Sequence, residues 1–413
     1  MPRRHVVASA VFLLAFIAAL PGPGTLRAEN FDLTLLPPIL AGPPLSRDSD
    51  GDGLPDLWEL RGYTVNGTYV NLPAMGASPW HKDVFVWMDY MVTPGSVDLG
   101  PSQTVIDNIK AVFNNAPVTN PDGTTGIHIH PVLKNQVPYD ETLGVSSNYT
   151  QVWIDFDTLK NNSFNAAYAP SFRYMIWANT YNQGTSSGLA RGIPGTDFLV
   201  TLGGWQTPGG TDWQKLGTFI HELGHCLGLT HGGTDHVNYK PNYLSVMNYS
   251  FQTWGLYRNG HWGDEGYPLN FDYQRINTPS LDKASLQEGL GLTGADDVSA
   301  YGTVYYYVSG GYYYNTYTTN AAAGIDWNKN NIIDPSPVSA DINWSGSATG
   351  TLTAQNNWPN INYSADGQLG PASGQARRKA ALVPMPEELR HELDFETQQR
   401  LDTARTPAAP ATP

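Results

Sequence analysis

Thr218-Phe-Ile-His221-Glu222-Leu-Gly-His225-Cys226-Leu-Gly228-Leu-Thr-His231-Gly-Gly-Thr-Asp235 is the stretch on which the reading of this chain turns. In an α-helix, at about 100° per residue, His221 and His225 lie on one face roughly 40° apart, and Leu216, Ile220, Leu223 and Leu227 gather on the opposite face. Thr211-Asp-Trp-Gln214 just upstream is a capping box, so the helix is expected from there to about Leu227, with Trp213 joining its buried stripe. Gly228 suits the positive φ that reverses a chain after a helix, and three residues later His231 can return toward the first two imidazoles. Three neutral nitrogens at about 2.0–2.1 Å from a zinc ion leave the fourth tetrahedral position for water. Zinc brings the pKa of that water toward neutrality, and Glu222, rotated about 100° from His221, is placed to take its proton. By chance the pattern HExxHxxGxxH would arise with a probability of about 10⁻⁵ in a chain of this size and composition.

Outward from this helix the chain reads as α+β. Upstream, KDVFVWMDYM after His81, IHIHPVL (Ile127 to Leu133), RYMIWANTY (Arg173 to Tyr181) and DFLVTLGGW (Asp197 to Trp205) are strand-like. Between the first two, SQTVIDNIKAVFNNA from Ser102 carries Val105, Ile106, Ile109, Val112 and Phe113 at helical spacing. A mixed, twisted sheet with helices packed on it is expected. Downstream, LDKASLQEGL suggests a helix starting near Leu281, Tyr301 to Tyr317 a hairpin about Gly310-Gly311, and Pro386 to Arg405 a helical segment before a disordered Pro/Ala/Thr tail.

The motif, with Tyr243-Leu-Ser245-Val-Met247-Asn-Tyr249 following it, resembles the metzincin clan of zinc metalloendopeptidases over roughly Lys82 to Leu292. The resemblance implies a catalytic domain in which Met247 forms the turn beneath the zinc site. It also implies a catalytic role for Tyr249, at the position where some members carry a tyrosine that assists the zinc or the oxyanion. Gly232 and Asp235 match no named family of the clan. Asp235 is open between orienting a ligand, touching the Met-turn and standing solvated in its loop. Cys226, on the apolar side of His225, reads as a small buried hydrophobe. His128, His130 and His236 lack ligand spacing and read as structural or surface residues.

Two further stretches suggest cations of another kind. Asp48-Ser-Asp50-Gly-Asp52-Gly53-Leu54-Pro-Asp56-Leu-Trp-Glu59 fits a twelve-residue calcium loop, with Asp48, Asp50, Asp52, Asp56 and Glu59 as carboxylate ligands, the Leu54 carbonyl, and Gly53 at the sharp turn. Asp326, Asn328, Asn330 and Asp334 repeat it in a weaker form, with Asn331 in place of the glycine and Asp341 as a substitute late ligand. Zn²⁺ and Ca²⁺ are the expected cofactors.

Composition agrees with an exported, loop-rich protein. The chain has 413 residues with 42 Gly and 31 Pro, and its 37 acidic against 23 basic residues give a net charge of −14, which argues against nucleic acid as a partner. Arg3 and Arg4, the apolar run Val6 to Leu20 and Leu26-Arg-Ala28 read as a signal peptide, whose removal takes away three arginines and moves the charge to −17. With one cysteine the chain can form no internal disulfide, and without one upstream of the site it has no thiol latency switch.

The expected organisation is therefore a signal peptide over 1–28, an extension with the first calcium loop over 29–80, and a metzincin-like catalytic domain over 81–298. A Tyr-rich hairpin with the second loop follows over 299–370, then a helical segment and tail over 371–413. The expected protein is a secreted, extracellular or periplasmic, bacterial monomer without stable membrane insertion, hydrolysing a peptide or protein substrate. The alternative is a calcium-dependent surface adhesin or carbohydrate-binding protein on the same scaffold, for which a general base at Glu222 would have no use.

Overall fold

A five-stranded sheet organises the chain, because the strands that start at Asp83, Phe172 and Asp197 are buried along nearly their whole length and must be covered on both faces. The computed structural model describes residues 46–145, 148–380, 383–403 and 405; the signal peptide and the end of the tail, 406–413, lie outside them. In chain order the elements are α1 (Asp56–Arg61), β1 (Tyr63–Val65), β2 (Thr68–Val70), β3 (Asp83–Tyr90), α2 (Gln103–Asn114), β4 (His128–Gln136), α3 (Tyr149–Ser163), β5 (Phe172–Trp177), β6 (Gly188–Ala190), β7 (Asp197–Val200) and α4 (Asp212–Cys226). There follow β8 (Leu281–Asp282), β9 (Thr303–Ser309), β10 (Tyr312–Thr318), β11 (Thr351–Leu352), α5 (Ser373–Ala380) and α6 (Phe395–Asp402). The class is mixed α and β, in agreement with the α+β expectation.

The sheet order is β4-β3-β5-β7-β6. All neighbours are parallel except β6, which runs antiparallel to β7 and forms one edge. Alternation along β5 sends Tyr174 and Trp177 to opposite faces. On one, Phe156 of α3 meets Tyr174 with ring centroids 5.4 Å apart; on the other, Phe219 of α4 stacks on Trp177 at 5.9 Å. Helix α2 packs beside α4, with its periodic residues Val105, Ile106, Ile109, Val112 and Phe113 all buried and Ser102 capping it through the Val105 amide. A buried Asp197, bonded to Lys160 of α3 at 2.5 Å and Arg191 at 2.8 Å, ties α3 to β7.

The hairpin β9–β10 forms as expected, its two-residue turn made by Gly310 and Gly311 at φ 58° and 84°. The helix expected near Leu281 does not form. Leu281 instead pairs with Leu352, Leu286 with Val338, and the Asp282 side chain accepts the Ala284 amide, so tertiary pairing and a local side-chain turn override helical propensity. Only a single 3₁₀ turn, Glu288–Leu290, lies in that stretch. The segment Pro386 to Arg405 is also not one helix: a 3₁₀ turn at Glu387–Arg390 and α6 are separated by extended chain. Among the described residues no helix is long and apolar enough to cross a membrane.

Candidate metal centre

Helix α4 starts on the capping box, Thr211 and Gln214 satisfying each other's amides, and ends at Cys226 before Gly228 at φ 91° turns the chain. That turn brings His231 back to the helix. The Nε2 atoms of His221, His225 and His231 lie 3.1–3.2 Å from one another, and all three side chains are buried. Tetrahedral ligands at about 2.0–2.1 Å from zinc would stand about 3.3 Å apart, so the spacing fits a shared ion.

The hydrogen bonds behind the rings decide which nitrogens face inward. His221 Nδ1 donates to the Val246 carbonyl at 2.8 Å and His225 Nδ1 to the Leu229 carbonyl at 2.9 Å, which leaves each Nε2 with a bare lone pair. His231 Nδ1 lies 3.3 Å from Glu388 Oε1. Burial pushes His221 down to about 4, toward the neutral form a metal needs. Lone pairs converging at 3.2 Å in a buried site repel one another unless a cation lies between them, and this donor set therefore fits a metal ion.

A fourth donor comes from a residue the sequence reading passed over. Glu392, in the extended chain between the two C-terminal helical turns, places Oε2 3.3 Å from His221 Nε2 and 3.4 Å from His231 Nε2, and Oε1 3.5 Å from His225 Nε2. The cluster is thus three histidines and a buried glutamate. Burial alone would raise the Glu392 carboxyl, but the neighbouring His231, with His221 and His225, holds it well below the usual carboxylate range. Glu388, 157 residues from His231 in sequence, also accepts the His231 amide at 2.7 Å. Neither glutamate has motif spacing to the histidines.

Glu222 is fully buried, and neither of its oxygens has a hydrogen-bond partner. Burial, with the charge of Glu392 added, pushes its carboxyl well above the ordinary value. It lies against the sheet edge: a Cβ on Gly188 of β6 would stand 2.4 Å from Glu222 Oε1. Met247 lies buried beneath α4, its sulfur 2.3 Å from where a Gly224 Cβ would be, so the glycine lets it pack close against the helix and a larger residue would have to displace it. Tyr249 lies beside the centre, with ring centroids 4.6 Å from His231 and 5.6 Å from His221. Its hydroxyl donates to the His391 carbonyl at 2.6 Å or to Glu392 Oε2, 3.0 Å away.

The residues set aside stand apart from the centre. Asp235 pairs with Lys240 at 2.6 Å, closing its own loop. Cys226 is buried with its sulfur 3.6 Å from the Asp197 carbonyl, and burial pushes its thiol up. His236 is largely exposed and reaches Glu388.

The first acidic loop closes on itself. Asp48 accepts the Gly51 and Gly53 amides at 2.7 and 2.9 Å, and Gly53 takes φ 90° at the turn. The loop draws in Asp83 from the start of β3, so that Asp48, Asp50 and Asp52 form one group of potential ligands and Asp52, Glu59 and Asp83 an adjoining one. Both Glu59 oxygens and Asp50 Oδ2 are buried with no hydrogen-bond partner, which is the state of ligands aimed at a cation. Leu54, whose carbonyl was expected to bind, is buried with its amide on Asp52. Asp56 turns away to accept the Ser49 amide and hydroxyl at 2.7 and 2.8 Å. These acidic clusters and the histidine centre can hold metal ions.

The second loop is saturated by its own bonds. Asp326 accepts the Asn330 and Asn331 amides, and Asp334 accepts the side chains of Asn328 and Asn330. Its outside carboxylate is Glu288, which accepts the Asn328 and Asp334 amides. Asp341 instead binds the Ser345 and Gly346 amides, with Lys283 3.6 Å away. Among the described residues Asp326, Asp334 and Asp341 form no metal-binding group. The chain matches no protein-family model, and no curated protein matches it.

Proposed function

We propose that this protein is a secreted, zinc-dependent endopeptidase of the metzincin type, stabilised by calcium at the Asp48–Glu59 loop. The observation that carries the reading is the convergence of three buried Nε2 lone pairs at 3.1–3.2 Å beside a buried carboxylate, Glu222, with no partner of its own. His221, His225 and His231 would hold the ion, which when bound supplies Lewis acidity that polarises a carbonyl and makes water more acidic. Glu222 takes the proton of the attacking water and returns it to the departing amine. The Tyr249 hydroxyl, directed at the position Glu392 holds, can donate to the oxygen of a tetrahedral species. The antiparallel edge β6, passing beside Glu222 at Gly188, offers main-chain groups to an extended peptide. A surface adhesin would leave the buried, unpartnered Glu222 without purpose, at a cost in stability.

The test is digestion of a denatured protein mixture by the purified chain and by its Glu392→Gln variant, with and without a zinc chelator, reading the new termini by mass spectrometry. Cleavage that the chelator abolishes is expected. A metal-loaded variant that produces no new termini even after the 386–405 segment has been cut away would overturn the peptidase reading.

A further inference from the structure

The extended chain that delivers Glu392 is held as an added strand. Ser187, at the residue before β6, donates its amide to the Leu393 carbonyl at 2.7 Å, and Phe395 donates to the Thr185 carbonyl at 3.2 Å. Ser186 and Asp394 are paired antiparallel. The C-terminal segment thus continues the sheet beyond β6 on the same edge that faces Glu222. It is anchored on either side of the metal centre: Leu389 and Leu393 are fully buried, Phe395 packs on Trp205 with centroids 5.7 Å apart, and Gln398 accepts the Thr253 hydroxyl at 2.6 Å. Beyond α6, Arg405 pairs with Asp264 at 2.8 Å.

An acidic side chain in the fourth direction, reached from a strand added to the cleft edge, is the arrangement of a peptide inhibitor bound in a peptide groove. The groove is the edge Thr185–Gly188, and its occupant is covalently part of the chain. We propose that residues 387–395 are a built-in inhibitor of the site, with Glu392 as the removable fourth donor to the metal. The chain is then made latent and becomes competent when this segment leaves. Val383, 62% exposed, stands just before the segment and offers a place where cutting would free it. This rests on the peptidase reading above only for the consequence in activity; the occupation of the groove stands on its own geometry.

The test uses the full chain loaded with Co²⁺, whose visible absorption reports the donor set. Glu392→Gln and Leu393→Asp, the second altering only the buried anchor, should both change the spectrum while metal content stays near one per site. A recognition sequence for a specific protease inserted after Val383 should give a chain whose nicking produces the same spectral change. A labelled peptide spanning 386–405 should then exchange into the nicked chain, at least tenfold more weakly when it carries Gln in place of Glu392. Peptidase activity should rise at least tenfold on nicking and fall again with the added peptide. An unchanged Co²⁺ spectrum in both variants, or equal binding of the two peptides, would overturn the inhibitor assignment. Metal loss in both variants would overturn it too, making Glu392 a structural ligand. Spectral change and selective peptide exchange without any peptidase activity would uphold the groove assignment and sink the peptidase reading instead.

Discussion

Withdrawing calcium should destabilise this protein, and the loss should grow with pH. In the folded, metal-free loop, burial raises Asp50 from 3.8 to about 7, with Asp48 adding repulsion. Burial, then the neighbouring Asp52 and Asp50, raises Glu59 from 4.5 to about 10. The folded loop therefore keeps protons that the unfolded chain has already released, and stability falls as pH rises from about 4 through 7 for Asp50 and onward for Glu59. At about 1.4 kcal/mol per pH unit, Asp50 alone removes on the order of 2 kcal/mol between pH 5 and pH 8, with Glu59 adding to it. For a chain of this length that is a few degrees of thermal midpoint.

Calcium reverses the sign, because it binds the ionised oxygens. At a hundred times its Kd it contributes about 2.7 kcal/mol, and at pH 5 protons compete with it. Thermal melts at pH 5 and pH 8, in calcium and in a calcium-selective chelator that leaves zinc in place, should show a larger calcium shift at pH 8. Asp50→Asn with Glu59→Gln should abolish that shift and, in chelator at pH 8, melt above the wild type, since the neutral amides relieve the repulsion. A wild-type midpoint in chelator that is flat from pH 5 to pH 8 would refute the reasoning. A calcium shift undiminished in the double variant would show that the ion is not held by Asp50 and Glu59.

Three other outcomes follow from the metal centre. His231→Ala should lower bound zinc sharply, whereas His236→Ala should leave about one zinc per chain; equal zinc in the two by elemental analysis would break the three-histidine assignment. In the Glu392→Gln background, Glu222→Gln should keep the metal and lower peptide hydrolysis by about 10²–10⁴, and zinc loss instead would make Glu222 a ligand. Gly188→Ala in the same background should drive a methyl into Glu222 Oε1, 2.4 Å from its ideal position, cutting hydrolysis at least tenfold with zinc content intact; an unaffected rate would show that Glu222 need not hold its place.

What was legible depends on whether a feature is written in side-chain pattern or in pairing. Strands β3, β5 and β7 are largely apolar runs, β4 opens with apolar residues alternating with His128 and His130, and α2 and α4 carry both a stripe and a cap, so each can be read locally. The edge strand β6 has three residues, Gly-Leu-Ala, whose extended form comes from its pairing with β7. Helix α3 was missed although Asn148 caps it, because only Val152, Trp153 and Phe156 along it are buried and no stripe runs its length. The β1–β2 hairpin did carry a signal that was overlooked: Asn66-Gly67 takes φ 48° and 82° between two short strands.

At the site the same division holds. His221, Glu222, His225 and His231 share one helix and one turn, so their convergence is a matter of helical angle and a single glycine, and Asp83 joins the first acidic loop only because β3 begins beside it. Glu392 has no such geometry in sequence. It is delivered by main-chain bonds between residues 393–395 and 185–187, and backbone pairing leaves no mark in the residues that make it. The one local mark near it is a helix start: Asp394, itself extended, caps α6 through the Thr397 amide at 2.7 Å, which leaves open what holds His391 to Asp394 extended. The sheet edge does that, and the carboxylate thereby stands between the Tyr249 hydroxyl and three imidazole nitrogens, in the one direction that the helix and its turn leave open.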